Sequence, residues 1–127
     1  MLAQAAVKIF ENAPDERADN APIDRSHLSR MTFGEHSLER EVLQLFDRQA
    51  ELLMERMNAS APAAIATLAH TLKGSAVGIG AGRVASAAAA TELAASRAPG
   101  ECGLAIAELA RSVEEARAQI AGLLRAH

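Results

Sequence analysis

The sequence predicts an all-α protein: an antiparallel four-helix bundle with a short extra N-terminal helix. Three observations carry that expectation. Thirty of the 127 residues are alanine, the strongest helix former, and they supply nearly half of the hydrophobic 50%. Aromatics are limited to Phe10, Phe33 and Phe46, and β-branched residues are scarce, so strand propensity is low. Apolar residues also recur every three or four positions in long stretches separated by Pro and Gly. A chain of this length fits one domain.

Each element follows from local signals. Residues 1–22 are expected to form a flexible tail, because the stretch from Glu11 to Pro22 is polar, charged and broken by two prolines. The bundle domain is expected over 23–127. Asp24 is placed as N-cap of a short helix carrying Leu28 and Met31. Thr32-Phe33-Gly34-Glu35 fits a capping box opening a helix that runs to about Met57. Its stripe is read as Leu38, Val42, Leu45, Phe46, Leu52 and Leu53, with Gln49 as the polar exception. Asn58 to Pro62 is a turn, with Ser60 as cap and Pro62 in the first turn of the next helix. That helix reaches about Val77, and an alanine-rich helix follows from Arg83 to about Arg97. After Ala98-Pro99-Gly100, a final helix from about Glu101 to Arg125 carries Ile106, Leu109, Val113, Ala116, Ile120 and Leu124 on one side. Short connections make the helices antiparallel neighbours.

Charge and cysteine content narrow the function. The net charge is −3, and nucleic-acid binders carry a basic excess and often aromatic stacking platforms, so no nucleic-acid partner is expected. No apolar run approaches the roughly 18–20 residues that span a bilayer, and Lys8 breaks any signal-peptide pattern, so a cytoplasmic protein without membrane association is expected. The single Cys102 cannot form an intrachain disulfide. His27 and His36 stand nine residues apart, Cys102 is isolated, and no metal site is expected. Gly78-Ile79-Gly80-Ala81-Gly82 fails as a dinucleotide fingerprint because a helix precedes it and Arg83 takes the last glycine position. Lys73-Gly74-Ser75 is not in phosphate-loop order.

The chemistry concentrates in His70-Thr71-Leu72-Lys73-Gly74-Ser75-Ala76. Ile65, Leu68, Ala69, Leu72, Ala76 and Ile79 cluster around one direction of this helix, and His70 falls roughly 150° away, toward solvent. Lys73 and Gly74 follow at i+3 and i+4 and share its face with Ala63, Ala66 and Val77. Glycine inside a helix costs about 1 kcal/mol against alanine. At position 74 it leaves the imidazole open to a bulky group. Lys73 supplies a cation for an anion at His70, and a neutral imidazole is a competent nucleophile near neutral pH. The arrangement suits phosphoryl acceptance.

These residues, with Gly80-Ala81 behind them, resemble the motif of the histidine-containing phosphotransfer (HPt) domain, H-x-L-K-G-S-[SA]-x-x-[LI]-G-A. Gly34-Glu35 and Leu45-Phe46 extend the likeness, which covers roughly residues 23–125, and Thr91-Glu92-Leu93 sits near the family's usual Leu-Glu pair, out of strict match. The chain departs from it in the small residues Ala87 to Ala90 and in the extra Gly82, which bear on bundle geometry. The resemblance implies that His70 accepts a phosphoryl group from a receiver-domain aspartyl phosphate and passes it to another receiver. It implies that Lys73 assists the phosphoryl group, while Gly74 keeps the approach open. Ala63, Ala66 and Val77 join the docking surface by position. The partners implied are receiver domains of response regulators and of a hybrid histidine kinase. No nucleotide site or cofactor of its own is expected, Mg²⁺ coming from the receiver, and the chain is expected to be a monomeric carrier rather than an ATP-dependent kinase. The competing reading is a helical adaptor or scaffold in which His70 stays unphosphorylated. A fragment of a hybrid kinase is a third, disfavoured by Met1 and by the chain ending two residues beyond the last helix.

Overall fold

The structure is a computed structural model and describes residues 21–126. The expected tail lies outside the described residues over 1–20. Five helices follow in order: α1 (Arg25–Met31), α2 (His36–Asn58), α3 (Pro62–Ile79), α4 (Gly82–Arg97) and, after one 3₁₀ turn at Pro99–Glu101, α5 (Cys102–Ala126). The fold is therefore all-α, with four long helices in a bundle and α1 as the short extra helix. Among the described residues there is no strand.

Helix α1 begins where the sequence places it, with Asp24 accepting from the amides of Ser26 (3.0 Å) and His27 (3.2 Å). Two elements hold it. The Gln119 side chain on α5 brackets the buried Ile23, accepting from its amide at 2.8 Å and donating to its carbonyl at 3.3 Å. The Asp24 amide donates to the Gly80 carbonyl at 2.9 Å, and His27 Nε2 lies 3.1 Å from the Gly78 carbonyl. His27 thereby anchors α1 to the end of α3.

The connection to α2 differs from the capping box. Thr32 is the C-cap of α1, fully buried, with its hydroxyl donating to the Leu28 carbonyl at 2.9 Å. Glu35 is the N-cap of α2 and makes no side-chain capping bond. Phe33 (φ 56°) and Gly34 (φ 71°) both take left-handed conformations, so the chain turns before the helix can start at His36. Ser60 likewise does not cap α3: its hydroxyl turns back to the Arg56 carbonyl at 2.6 Å, and Ala61 occupies the N-cap ahead of Pro62. The Ser60 hydroxyl thus serves the end of one helix rather than the start of the next.

The buried face of α2 is rotated from the expected stripe. Leu43, Phe46, Ala50, Leu53, Met54 and Met57 enter the core, while Leu45 and Leu52 are 60% and 45% exposed and Leu38 and Val42 are half-buried. α2 has more apolar positions than one stripe can hold, and Leu38, Leu45 and Leu52, seven residues apart, form a second row off the core. Gln49 belongs to the edge of α2 facing α3, where its Oε1 accepts from the Ser75 hydroxyl at 2.7 Å. On α5 the inward residues are Cys102, Leu109, Val113, Ala116, Ile120 and Leu123, with Ile106 and Leu124 only partly buried.

The alanine-rich helix does not disturb the bundle. α3 and α4 make the most extensive contact of any helix pair. Ile65, Ala69, Leu72, Ala76 and Ile79 come from α3, and Val84, Ala88, Thr91 and Ala95 from α4. Helix separation follows the girth of the side chains between them, so alanine permits close approach. Buried Thr91 satisfies its hydroxyl within 2.9 Å of the Ala87 carbonyl and 3.3 Å of the Ala105 carbonyl. α5 is tied to α2 by Arg117, which donates to Asp47 at 2.7 Å and Glu51 at 3.1 Å. The hydrogen bond to Asp47 raises the guanidinium above its ordinary value, so this cation stays charged at every accessible pH.

Two glycines flanking the α3–α4 corner have opposite roles. Gly80 takes φ 83°, and a Cβ there would sit 3.1 Å from both the Asp24 carbonyl oxygen and His27 Cδ2. A Cβ on Gly82 meets nothing within 4 Å. Gly80→Ala is expected to lower unfolding stability by about 1–3 kcal/mol. Gly82→Ala should change it by no more than about 0.5 kcal/mol. Urea midpoints compared at equal m-value check both.

Candidate functional site

Helix α3 presents the site. Its inner face is apolar and fully engaged, with Ala69, Leu72 and Ala76 at 0% exposure. That fixes the rotation of the helix and sends His70 outward, its side chain 68% exposed. The phase read from the sequence and the observed orientation agree because the α3 core stripe holds no competing apolar row. Gly80, left-handed and capping α3, sets where the helix stops.

The residues grouped around His70 lie as follows. Gly74 is exposed, and a Cβ on it would meet no atom within 4 Å. Lys73 is half-buried, and among the described residues it makes no ion pair. Ala63 and Val77 are exposed, Val77 to 56%, whereas Ala66 is half-buried against the core. The face around the imidazole is therefore low and partly apolar, with one cation a helical turn away.

One residue enters the site that the helix pattern alone did not assign. Glu92 of α4, twenty-two positions along the chain, places Oε2 3.0 Å from Nδ1 of His70. Its side chain is 31% exposed, about half the exposure of its partner. Only the resemblance over Thr91-Glu92-Leu93 hinted at it. Periodicity within one helix carries no information about a contact that depends on how near two helices pack. Once Thr91 is recognised as the buried polar residue of α4, position 92 falls at the edge facing α3.

Other candidates separate from the site. His27 is committed to the Gly78 carbonyl, and Cys102 is buried at the start of α5. Among the described residues no group of three His, Cys, Asp or Glu side chains could hold a metal ion, and no described helix is long and apolar enough to cross a membrane.

Fold and site together define a small helical bundle that displays one histidine from the middle of a core helix. The family model of the Hpt domain matches residues 38–123, and the chain belongs to that family. A crystal structure assigned as a histidine-containing phosphotransfer protein from rice shares the fold, with a TM-score of 0.75 at 16% identity, covering 98% of this chain and 95% of that one. Comparison with curated proteins gives no match. Membership fixes the general role as histidine phosphotransfer in a phosphorelay, a carrier's rather than a kinase's, with receiver domains as the class of partner.

A Cβ added at Gly74 would meet no neighbouring atom within 4 Å, so its replacement tests what the chain itself requires there. Gly74→Ala is expected to raise stability by about 0.5–1 kcal/mol, through helix propensity alone. Thermal unfolding followed at 222 nm by circular dichroism measures it; a loss of stability would mean that the glycine is needed for folding.

Proposed function

We propose that the chain carries a phosphoryl group on His70, taking it from the aspartyl phosphate of one receiver domain and delivering it to the aspartate of another. The observation that supports this most directly is the pairing of a largely exposed imidazole with open space at Gly74. A helix-interior glycine costs about 1 kcal/mol relative to alanine. Nothing within the folded chain requires it at 74, so the cleared volume serves a group from outside. In phosphoryl transfer the catalysis is mostly positioning and charge neutralisation. A carrier therefore needs little beyond a nucleophile, a cation and an approach path.

Each residue then has a role. His70 is the phosphoacceptor, Lys73 neutralises part of the charge on the transferring group, and Gly74 admits the receiver's active site. Ala63, Ala66 and Val77 form the low apolar surface against which the receiver seats. The receiver supplies the aspartate and Mg²⁺, and the carrier needs no cofactor of its own. It acts as a monomer in the cytoplasm, between a hybrid kinase and a response regulator.

Incubation with a ³²P-labelled receiver domain tests the reading. Wild type should acquire acid-labile, base-stable label, and His70→Gln should acquire none. Equal labelling of His70→Gln would refute the site assignment, and an unlabelled wild type would favour the adaptor reading. Gly74→Leu should slow transfer by about tenfold or more with helicity unchanged. Lys73→Ala should slow it by less than loss of His70, by about threefold to tenfold.

A further inference from the structure

We infer that the acidic run of residues 11–20 lies over the His70 face of α3, held at Lys73, and competes there with a receiver domain. The contact concerns this chain alone, and its consequence for transfer rests on the carrier reading above.

The place where the chain enters the bundle sets the reach. Ile23 is fully buried, and the Asp24 amide donates to the Gly80 carbonyl at 2.9 Å, so the chain arrives at α1 against the end of α3. Ala21, half-buried, shares a cleft with Val77 of α3 and Ala85 of α4. Val77 belongs to the face of His70, seven residues further along the same helix, or roughly 10 Å. Ten extended residues span roughly 30 Å. The segment before Ala21 therefore starts beside the face and is long enough to cross it. The way is low: Gly74 offers no side chain, and Ala85 and Ala89 on the α4 side are half-buried.

Charge decides which side chains meet. Residues 11–20 hold four carboxylates, Glu11, Asp15, Glu16 and Asp19, against one cation, Arg17, an excess equal to the formal −3 of the whole chain. α3 has no acidic residue, and among the described residues Lys73 makes no ion pair. Glu92, the carboxylate across the groove, is turned to His70. A short tether holds the run near Lys73 at an effective concentration in the millimolar range, on the order of 1 mM. An exposed ion pair by itself changes an equilibrium by about fivefold at most. The arm is therefore a weak, salt-sensitive competitor that a receiver displaces, not a permanent cover. Lys73 meets two anions in turn: the carboxylates of the arm at rest and the phosphoryl group during transfer.

A nitroxide at Ala13→Cys, in the full chain carrying Cys102→Ala and with an unchanged circular dichroism spectrum, reads the contact by ¹⁵N NMR at low salt. The amide signals of His70, Lys73, Gly74 and Val77 should be lost, while those of exposed Arg48 on α2 and Glu114 on α5 persist. Neutralising the run with Asp15→Asn, Glu16→Gln and Asp19→Asn should restore the lost signals. Losses centred on Leu45 and Leu52, or unchanged by neutralisation, overturn the inference. So does the same pattern in a mixture of nitroxide-bearing and ¹⁵N-labelled chains, which would assign the contact to a second copy. By calorimetry the neutralised chain should bind an unphosphorylated receiver domain about twofold to fivefold more tightly at low salt, with the difference gone at high salt. Equal or weaker binding overturns the competitor role. The two readings fail separately: a chain that shows the contact but never takes label on His70 sinks the carrier reading alone. Normal labelling without the contact sinks the arm alone.

Discussion

The close packing of α3 against α4 is the constraint on which the remaining features rest. It is helped by Ala69, Ala76, Ala88 and Ala95 among the inward residues, since small side chains let helices approach. α3 turns Ala69, Leu72 and Ala76 inward and α4 turns Val84, Ala88 and Ala95 inward. With that face fixed, His70 has to point outward and Glu92 has to lie beside it. Burying small apolar residues yields less free energy per residue than burying leucine. The bundle offsets this with larger groups elsewhere, chiefly Phe46, Met57, Leu109 and Ile120.

The helices themselves were legible because their signals are local. Alanine content, Asp24 as cap and Pro62 at the start of α3 each act within a few residues. The outward direction of His70 was legible too, since α3 has a single apolar stripe. α2 misled for the opposite reason: Leu45 and Leu52 are apolar but surplus, and only tertiary packing decides which row goes in. Thr32 and Ser60 carry hydroxyls that can serve either the helix ending or the helix beginning. In both places the preceding helix takes the hydroxyl, as Leu28 and Arg56 carbonyls show. Glu92 was out of reach because a contact between side chains on two helices depends on their separation, which no periodicity encodes.

α1 looks like an appendage in the chain order, yet it is fastened to the far end of the helix that carries His70. Asp24, His27 and the Gly80 carbonyl form one corner, and Gln119 holds Ile23 from the opposite side. The consequence is a fixed C-terminal end for α3, three turns below the imidazole. A helix pinned at its end and along its inner face has little freedom to rotate. The direction of the His70 ring is thereby set before any partner arrives.

The thinness of α4 has a further implication for how such a carrier can be adjusted. His70 and the Glu92 carboxylate beside it sit on different helices, so the distance between them is governed by residues that touch neither. Enlarging a buried alanine on α4 by one or two methylenes would spread the helices, lengthen the contact between His70 and Glu92 and leave every exposed residue of α3 unchanged. The surroundings of the imidazole and the make-up of the exposed face are then separately adjustable: one is written in the interior of the helix pair and the other on its surface. A lineage could alter the setting of His70 without altering the surface that α3 presents to solvent.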